Sequence, residues 1–371
     1  MRLQGRPKGE TRRAQPEDRP ARSIVKTASA TPPRSTRGGV WTWTKRLVPW
    51  VLLAVAVTLL VRQGRGVDWP AVVDALRAQP SWRLVVAAGM AVLSYTIYAS
   101  FDLVARHETR HGLPAWRALA AAAISYAVNL NLGSLLGGVA VRLRLYTRWG
   151  LDLPTAGRVV ALAMLTNWSG YLLVAGAALM LRPPELPADW PIAQGTLRAV
   201  GALMVALALG YAALCRWSPR RTLHWRGHEL KLPRGRTAVV QLALSAANWM
   251  LMGALVWWLL QQRIDYVLVL SVLLLAAVAG VIAHVPAGLG VLEAVFLAAL
   301  GDRVPTPALL AALLAYRACY FLLPLTLALP ALLLSELAAR RAAKADRTPA
   351  QAPGPQSMQR STGGGPMRSA R

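Results

Sequence analysis

Asn129-Leu130-Asn131-Leu132-Gly133-Ser134-Leu135-Leu136-Gly137-Gly138 and His284-Val285-Pro286-Ala287-Gly288-Leu289-Gly290-Val291-Leu292-Glu293 interrupt two stretches that are otherwise apolar enough to enter a bilayer. Each places glycine, a polar side chain or proline where a spanning helix should run on. Lipid cannot satisfy freed amide and carbonyl groups, so such backbone persists at membrane depth only inside protein or beside a water-filled cavity. Two of them in two parts of one chain point to a substrate site.

The surrounding composition fits a membrane protein. The 371 residues are 55% hydrophobic, yet 42 Lys and Arg face 16 Asp and Glu for a net charge of +26. Apolar spans with basic loops and tails reconcile the two. A nucleic-acid binder would need a compact soluble domain to present a basic face, and the sequence leaves none, so no nucleic-acid partner is expected. Cys215 and Cys319 fall inside apolar runs and read as small buried hydrophobes. Residues 1–46 and 337–371 are rich in Arg, Pro, Ser and Thr, which predicts a disordered basic arm and a disordered basic tail around a membrane domain at 47–336. The arm is too polar ahead of the first apolar run to be a cleaved signal peptide.

Apolar windows of spanning length, roughly 17–25 residues, run from Trp82 to Ala105, Gly157 to Leu181, Ala193 to Cys215, Thr237 to Leu260 and Ala308 to Ser335. A shorter one covers Leu47 to Val61. Thr306-Pro307 reads as an N-cap followed by a proline at the first helical position, and Pro324 and Pro330 predict kinks.

Loop charge sets the topology. The tails and the loops Arg106–Arg117, Arg142–Arg158 and Arg216–Arg236 are basic and belong in the cytoplasm. The loop Arg182–Trp190, with Glu185 and Asp189, and the loop where Asp265 offsets Arg263 belong outside. The segment Leu119–Val141 is then flanked by cytoplasmic loops on both sides, so it must enter and return, turning at Asn129–Gly138. By the same argument the chain between Asp265 and Asp302 starts and ends outside and turns at His284–Gly290. The expected fold is an all-α integral membrane protein with six to eight transmembrane segments, including two oppositely oriented re-entrant helical hairpins in an inverted repeat of 82–181 and 237–335. The alternative is eight ordinary spans with two loops that break the charge rule.

Several residues in this frame suit an anionic ligand. A returning arm starts with a free helix N-terminus, whose amides and dipole favour anions; Gly133, Ser134, Gly288 and Gly290 would supply those ends. Asn129 and Asn131 can donate to phosphate oxygens or bond the broken backbone of their own turn. Arg317 lies roughly 14 Å into the last helix at 1.5 Å per residue and offers a planar charged fork, with Glu293 as counter-ion in a purely structural alternative. Asp102 stands four residues before Arg106, the spacing of a helix-surface salt bridge. Arg142, Arg144 and Arg148, with Tyr146, read either as positive-inside residues or as a basic rim for anionic lipid heads. His107-Glu108-Thr109-Arg110-His111 matches H-E-x-x-H, the zinc-protease motif. Gly112 and Pro114 stop its helix at once, and no third ligand follows at a recognisable spacing.

The motifs Ser125–Gly133, Arg142-Leu143-Arg144-Leu145-Tyr146, His284–Glu293 and Tyr316-Arg317 resemble those of the YbhN-like members of the lysylphosphatidylglycerol synthase transmembrane-region family. The resemblance covers about Leu47 to Glu336. It implies a flippase-like membrane region, which in the full synthases moves aminoacylated phosphatidylglycerol made by a separate C-terminal domain, and it implies roles for Asp102, Glu293 and Arg317. This chain ends after the membrane region, which leaves aminoacyl transfer out. The resulting expectation is a phospholipid translocase or scramblase of the bacterial cytoplasmic membrane, multi-pass with both termini cytoplasmic. Its partners would be phospholipid head groups, with a second copy or an envelope enzyme besides. It would need no cofactor and would not be an enzyme; Asp102 and Glu293 are candidate proton carriers. The alternatives from other classes are a zinc-dependent membrane protease using His107, Glu108 and His111, and a non-transporting partner of an envelope enzyme.

Overall fold

The structure, a computed structural model, describes residues 68–133, 137–183, 193–218, 222–225, 228–283 and 285–345. The expected N-terminal arm, the run Leu47–Val61, the loop residues 184–192, Ser134, His284 and residues 346–371 of the expected tail lie outside them, whereas residues 337–345 of that tail continue the last helix. All described residues belong to one compact unit. It is an all-α integral membrane protein, apart from a short antiparallel pair of strands.

Helix α1 (Trp69–Arg77) is the first among the described residues; Asp68 accepts from the amide of Ala71 at 3.2 Å and Pro70 sits in the first turn. Helix α2 (Ser81–Thr109) ends where Arg110 takes a left-handed φ of 53°, and α3 (Ala115–Leu132) and α4 (Val139–Arg148) flank the first interruption. Helix α5 (Leu153–Leu181) is capped by Asp152, which accepts from the Thr155 amide at 3.1 Å. Helix α6 (Gln194–Trp217) leads to strands β1 (Thr222–Trp225) and β2 (His228–Lys231). Then come α7 (Gly235–Leu259), α8 (Tyr266–Ala283) and α9 (Val291–Leu300) around the second interruption, and α10 (Thr306–Arg317), which passes through a π-helical turn at Ala318–Leu322 into α11 (Leu323–Ala345). Thr306 is the first helical residue and Pro305 the cap, one position earlier than the Thr-Pro signature predicts. The chain stays helical through Pro324 and Pro330.

Six of these helices are long and apolar enough to cross a membrane: α2, α5, α6, α7, α8 and α10 continuing into α11. Their side-chain contacts fix which ends share a face. On one face, Gln79 Nε2 donates to the carbonyl of Leu259 and Trp258 Nε1 to that of Arg83, joining the start of α2 to the end of α7. Val72 of α1 packs with Leu310 and Ala311 of α10, and Leu297 of α9 joins them. On the opposite face, Thr237 donates to Glu108, joining the start of α7 to the end of α2. There Ala105, Leu113, Ala121, Leu145, Tyr146, Ala156 and Val159 form one cluster, so α3 starts and α4 ends beside the end of α2 and the start of α5.

The first hairpin, α3–α4, therefore leaves and returns to one face. The second, α8–α9, begins after the end of α7 and delivers the chain to the start of α10, both on the other face. Helix α8 is turned back although its length and apolarity alone would let it cross. The two hairpins open in opposite directions, as the loop charges require.

Close packing holds the spans together, since lipid-immersed helices gain from van der Waals contact rather than from water exclusion. A Cβ on Gly176 of α5 would lie 2.6 Å from the carbonyl oxygen of Gly201 in α6, and one on Gly170 would overlap Ser245 of α7. A buried chain from Tyr211 through Gln241 to Thr166 ties α6, α7 and α5, with distances of 2.6 and 2.8 Å.

Candidate functional site

The first turn is built from its glycines and asparagines. Gly133 has φ 86° and ψ 163°, accessible to glycine almost alone, and its amide closes onto the carbonyl of Asn129 at 2.9 Å. Gly138 lets α4 come back against α3: a Cβ there would lie 2.5 Å from that of Asn129. Asn131 Nδ2 donates to the carbonyls of Ala127 and Phe321, at 2.8 and 3.2 Å, so its amide serves the backbone. Asn129 Oδ1 is shut from solvent and accepts no hydrogen bond.

Helix α4 turns Arg142 and Tyr146 toward α2. Arg142 lies 3.3 Å from Asp102, the Tyr146 hydroxyl donates to the other carboxylate oxygen at 2.6 Å, and the guanidinium sits 5.6 Å from the centre of the Tyr98 ring. Asp102 is fully buried. The surface pairing with Arg106 expected from spacing does not form, because Asp102 faces the returning arm while Arg106 Nε reaches the carbonyl of Leu113 at 2.7 Å. Arg144 and Arg148 both donate to Glu336 of α11.

The second turn is tighter. Ala287, Gly288 and Gly290 all have positive φ, at 56°, 55° and 76°; for the alanine this conformation costs about 1–2 kcal/mol. Arg317 compensates. Its Nη1 donates to the carbonyl of Ala287 at 2.9 Å and its Nη2 to that of Gly288 at 3.0 Å, while Nε and Nη2 hold the two oxygens of Glu293 at 2.5 and 3.0 Å. Glu293 Oε2 in turn accepts from the amide of Gly290 at 2.9 Å. The helix end and guanidinium read from the sequence as an anion site are thus occupied by the chain's own carboxylate. An unpaired charge in apolar surroundings costs several kcal/mol, which each partner here spares the other.

The two turns meet. Helix α3 packs against the turn at Pro286–Gly288 and against the π-helical turn. Proline at 324 has no amide for the carbonyl of Tyr320, and the Tyr95 hydroxyl donates to it instead, at 3.2 Å. Asn131 serves the next carbonyl, and Arg317 stands 5.4 Å from the Phe321 ring centre. Around them the hydroxyls of Ser94, Tyr126 and Tyr320 connect at 2.7 and 3.1 Å, and Ser94 donates to Asn248 at 2.7 Å. Tyr126 lies within the motif Ser125–Gly133, but Ser94, Asn248, Tyr320 and Tyr95 escape a reading based on motifs. Their signal is weaker: polar side chains inside apolar spans, and Tyr320 four residues before a proline.

The histidine motif does not assemble on one helix face. Helix α2 ends at Thr109, His111 lies beyond the left-handed Arg110, and Glu108 accepts from Thr237. Among the described residues no group of three or more His, Cys, Asp or Glu side chains could hold a metal ion. His111 lies edge-on to Tyr146, 6.0 Å between ring centres, and burial, reinforced by Arg106, lowers its imidazole below the ordinary value. At the start of α5, hydrogen bonds from Thr155 hold the Asp152 carboxyl below its usual range.

Residues 49–328 match the family described as the lysylphosphatidylglycerol synthase transmembrane region. The chain belongs to this family. Within the family's membrane region lie both hairpins, the Asp102–Arg142 pair and the Glu293–Arg317 pair. Inner membrane protein YbhN of Escherichia coli is 40% identical over 302 residues, covering 81% of this chain and 95% of its own length. A protein of Synechocystis described as uncharacterized is 29% identical over 263 residues, 69% of this chain and 80% of its own.

Proposed function

We propose that the protein is a phospholipid translocase of the bacterial cytoplasmic membrane, acting on anionic or modified phosphatidylglycerol-type lipids, with both termini in the cytoplasm and without enzymatic chemistry. The observation that carries this reading is the meeting of two hairpin tips that enter from opposite faces, where α3 rests on the turn at Pro286–Gly288. Each hairpin brings polar backbone and side chains to a depth where lipid supplies none. A head group then crosses half the bilayer beside each hairpin and passes from one to the other where the tips meet, at Phe321 between Asn131 and Arg317. The basic loops around Arg110 and Arg148 support a cytoplasmic position for that face by the positive-inside rule. The family's name and that of the Escherichia coli relative support a lipid role and an inner-membrane location.

The test is leaflet exchange of fluorescent phosphatidylglycerol in vesicles holding the purified chain, read by quenching of the outer leaflet. Exchange should rise with protein content and be absent from empty vesicles. Equal rates with and without protein would remove the proposal.

A further inference from the structure

Helix α4 has a second working face. Val141, Arg144, Leu145 and Arg148 recur at three- and four-residue steps and turn to α11, away from the Arg142 and Tyr146 face. Between this stripe and Leu332, Leu333 and Glu336 lies an open groove of about 300 Å³ lined by Val141, Arg144, Leu145, Leu332, Leu333 and Glu336. Its floor is apolar, with Leu145 buried beneath and Leu333 61% exposed. At its polar end Arg144 and Arg148 share a single carboxylate oxygen of Glu336, at 2.9 and 2.7 Å. Among the described residues two guanidiniums meet this one carboxylate, which leaves an excess of positive charge there. One terminal nitrogen of Arg148 is also sealed from solvent without an acceptor.

The geometry points to this groove as a docking site for one anionic phospholipid, with its phosphate on Arg144 and Arg148 and the first part of an acyl chain along Leu332, Leu333 and Val141. The proposal rests on the lipid-handling reading above and adds to it a first place of contact. Three features choose this occupant. The groove opens beside α11, whose Leu333, Leu334 and Leu337 are exposed along a membrane-crossing helix, so bilayer lipid is what reaches it. Its charged end lies where α4 returns to its face, the level of lipid phosphates. A free phosphate would use the arginines but leave the leucine wall without purpose.

The experiment uses the full chain in phosphatidylcholine nanodiscs with a photoactivatable phosphatidylglycerol, compared with a phosphatidylcholine probe of identical chains. Peptides spanning Val141–Arg148 and Leu332–Glu336 should carry the phosphatidylglycerol label, and the neutral probe should label them several-fold less. Arg144→Gln should reduce the label about fivefold, the effect of one basic side chain near an anionic lipid surface. Leu333→Trp should reduce it by filling the groove while leaving the charges and the unfolding temperature in place. Equal labelling by both probes, unchanged labelling in Arg144→Gln, or displacement of the probe by soluble glycerol 3-phosphate would overturn the site. Leaflet exchange by the same variants in vesicles separates the two readings. Groove labelling without exchange keeps the docking site and removes translocation, whereas exchange without groove labelling does the reverse.

Discussion

Arg142, on the returning arm of the first hairpin, lies 3.3 Å from Asp102 of the helix before it, and neither side chain reaches solvent. The pair fixes the hairpin against α2 at a depth where an unpaired charge is expensive. Removing one partner alone, as in Asp102→Leu or Arg142→Met, should therefore cost about 3–5 kcal/mol, whereas the double variant should recover most of it. Thermal unfolding of the purified variants in detergent reads the cycle. A double variant no more stable than the worse single one would show that the pair does not act as a unit.

The turning back of both hairpins was legible because charge marks loops. Arginines stand on both sides of Leu119–Val141, and Asp265 and Asp302 flank the second interruption, so a single crossing would put one loop on the wrong face. The partner of Asp102 was not legible. Arg106 has the right spacing on the same helix, and only the docking of α4, a tertiary fact, brings Arg142 closer. The carbonyl of Tyr320 is marked only by the proline four residues on, and its partner, the Tyr95 hydroxyl, comes from another helix that no local pattern brings near. Helix α1 was missed although Asp68 and Pro70 form an ordinary N-terminal signal, because nine residues carry too little periodicity to stand out beside long apolar spans.

Arg317 combines charge with geometry, and lysine separates the two. Arg317→Lys keeps the positive charge opposite Glu293 but lacks the fork that also reaches the carbonyls of Ala287 and Gly288. The left-handed turn should loosen, so that a cysteine introduced at Leu289 reacts faster with a soluble maleimide than in the Arg317 background. Leaflet exchange should fall in the same variant. Unchanged thiol reactivity would mean that the turn holds its shape without the arginine.

Opposite hairpin orientation makes a labelling prediction that eight ordinary spans do not share. Single cysteines at Gly112 and Thr155, before and after the first hairpin, should both be labelled from one side of intact membrane vesicles. Cysteines at Arg263 and Asp302, around the second, should both be labelled from the other side. A side change across either hairpin would replace re-entry by a crossing.

Two glycines in long helices should respond in opposite directions. A methyl on Gly170 overlaps Ser245 and comes within 2.8 Å of the Ala246 amide, so Gly170→Ala must push α5 from α7 at a cost of about 1–3 kcal/mol. Gly89 of α2 has no atom within 4 Å of the added methyl. There alanine should stabilise the helix by up to about 1 kcal/mol. Unfolding temperatures of the two variants decide the matter, and a loss at Gly89 equal to that at Gly170 would contradict the packing described.

His111 gives the fold a pH dependence whose sign follows from its surroundings. Both ring nitrogens are buried without hydrogen-bond partners, Arg106 adds an unfavourable charge, and the Tyr146 ring offers no anion in compensation. Folding therefore favours the neutral ring and lowers its pKa below the ordinary 6.5. A depressed base binds fewer protons folded than unfolded, so its contribution is complete above the unfolded value and is lost as pH falls through the folded one. Between about pH 6.5 and pH 5 the unfolding temperature of the native chain should drop more than that of His111→Phe, which cannot take up the proton. Parallel curves for the two proteins would show that His111 is protonated as readily in the folded chain as in the unfolded one.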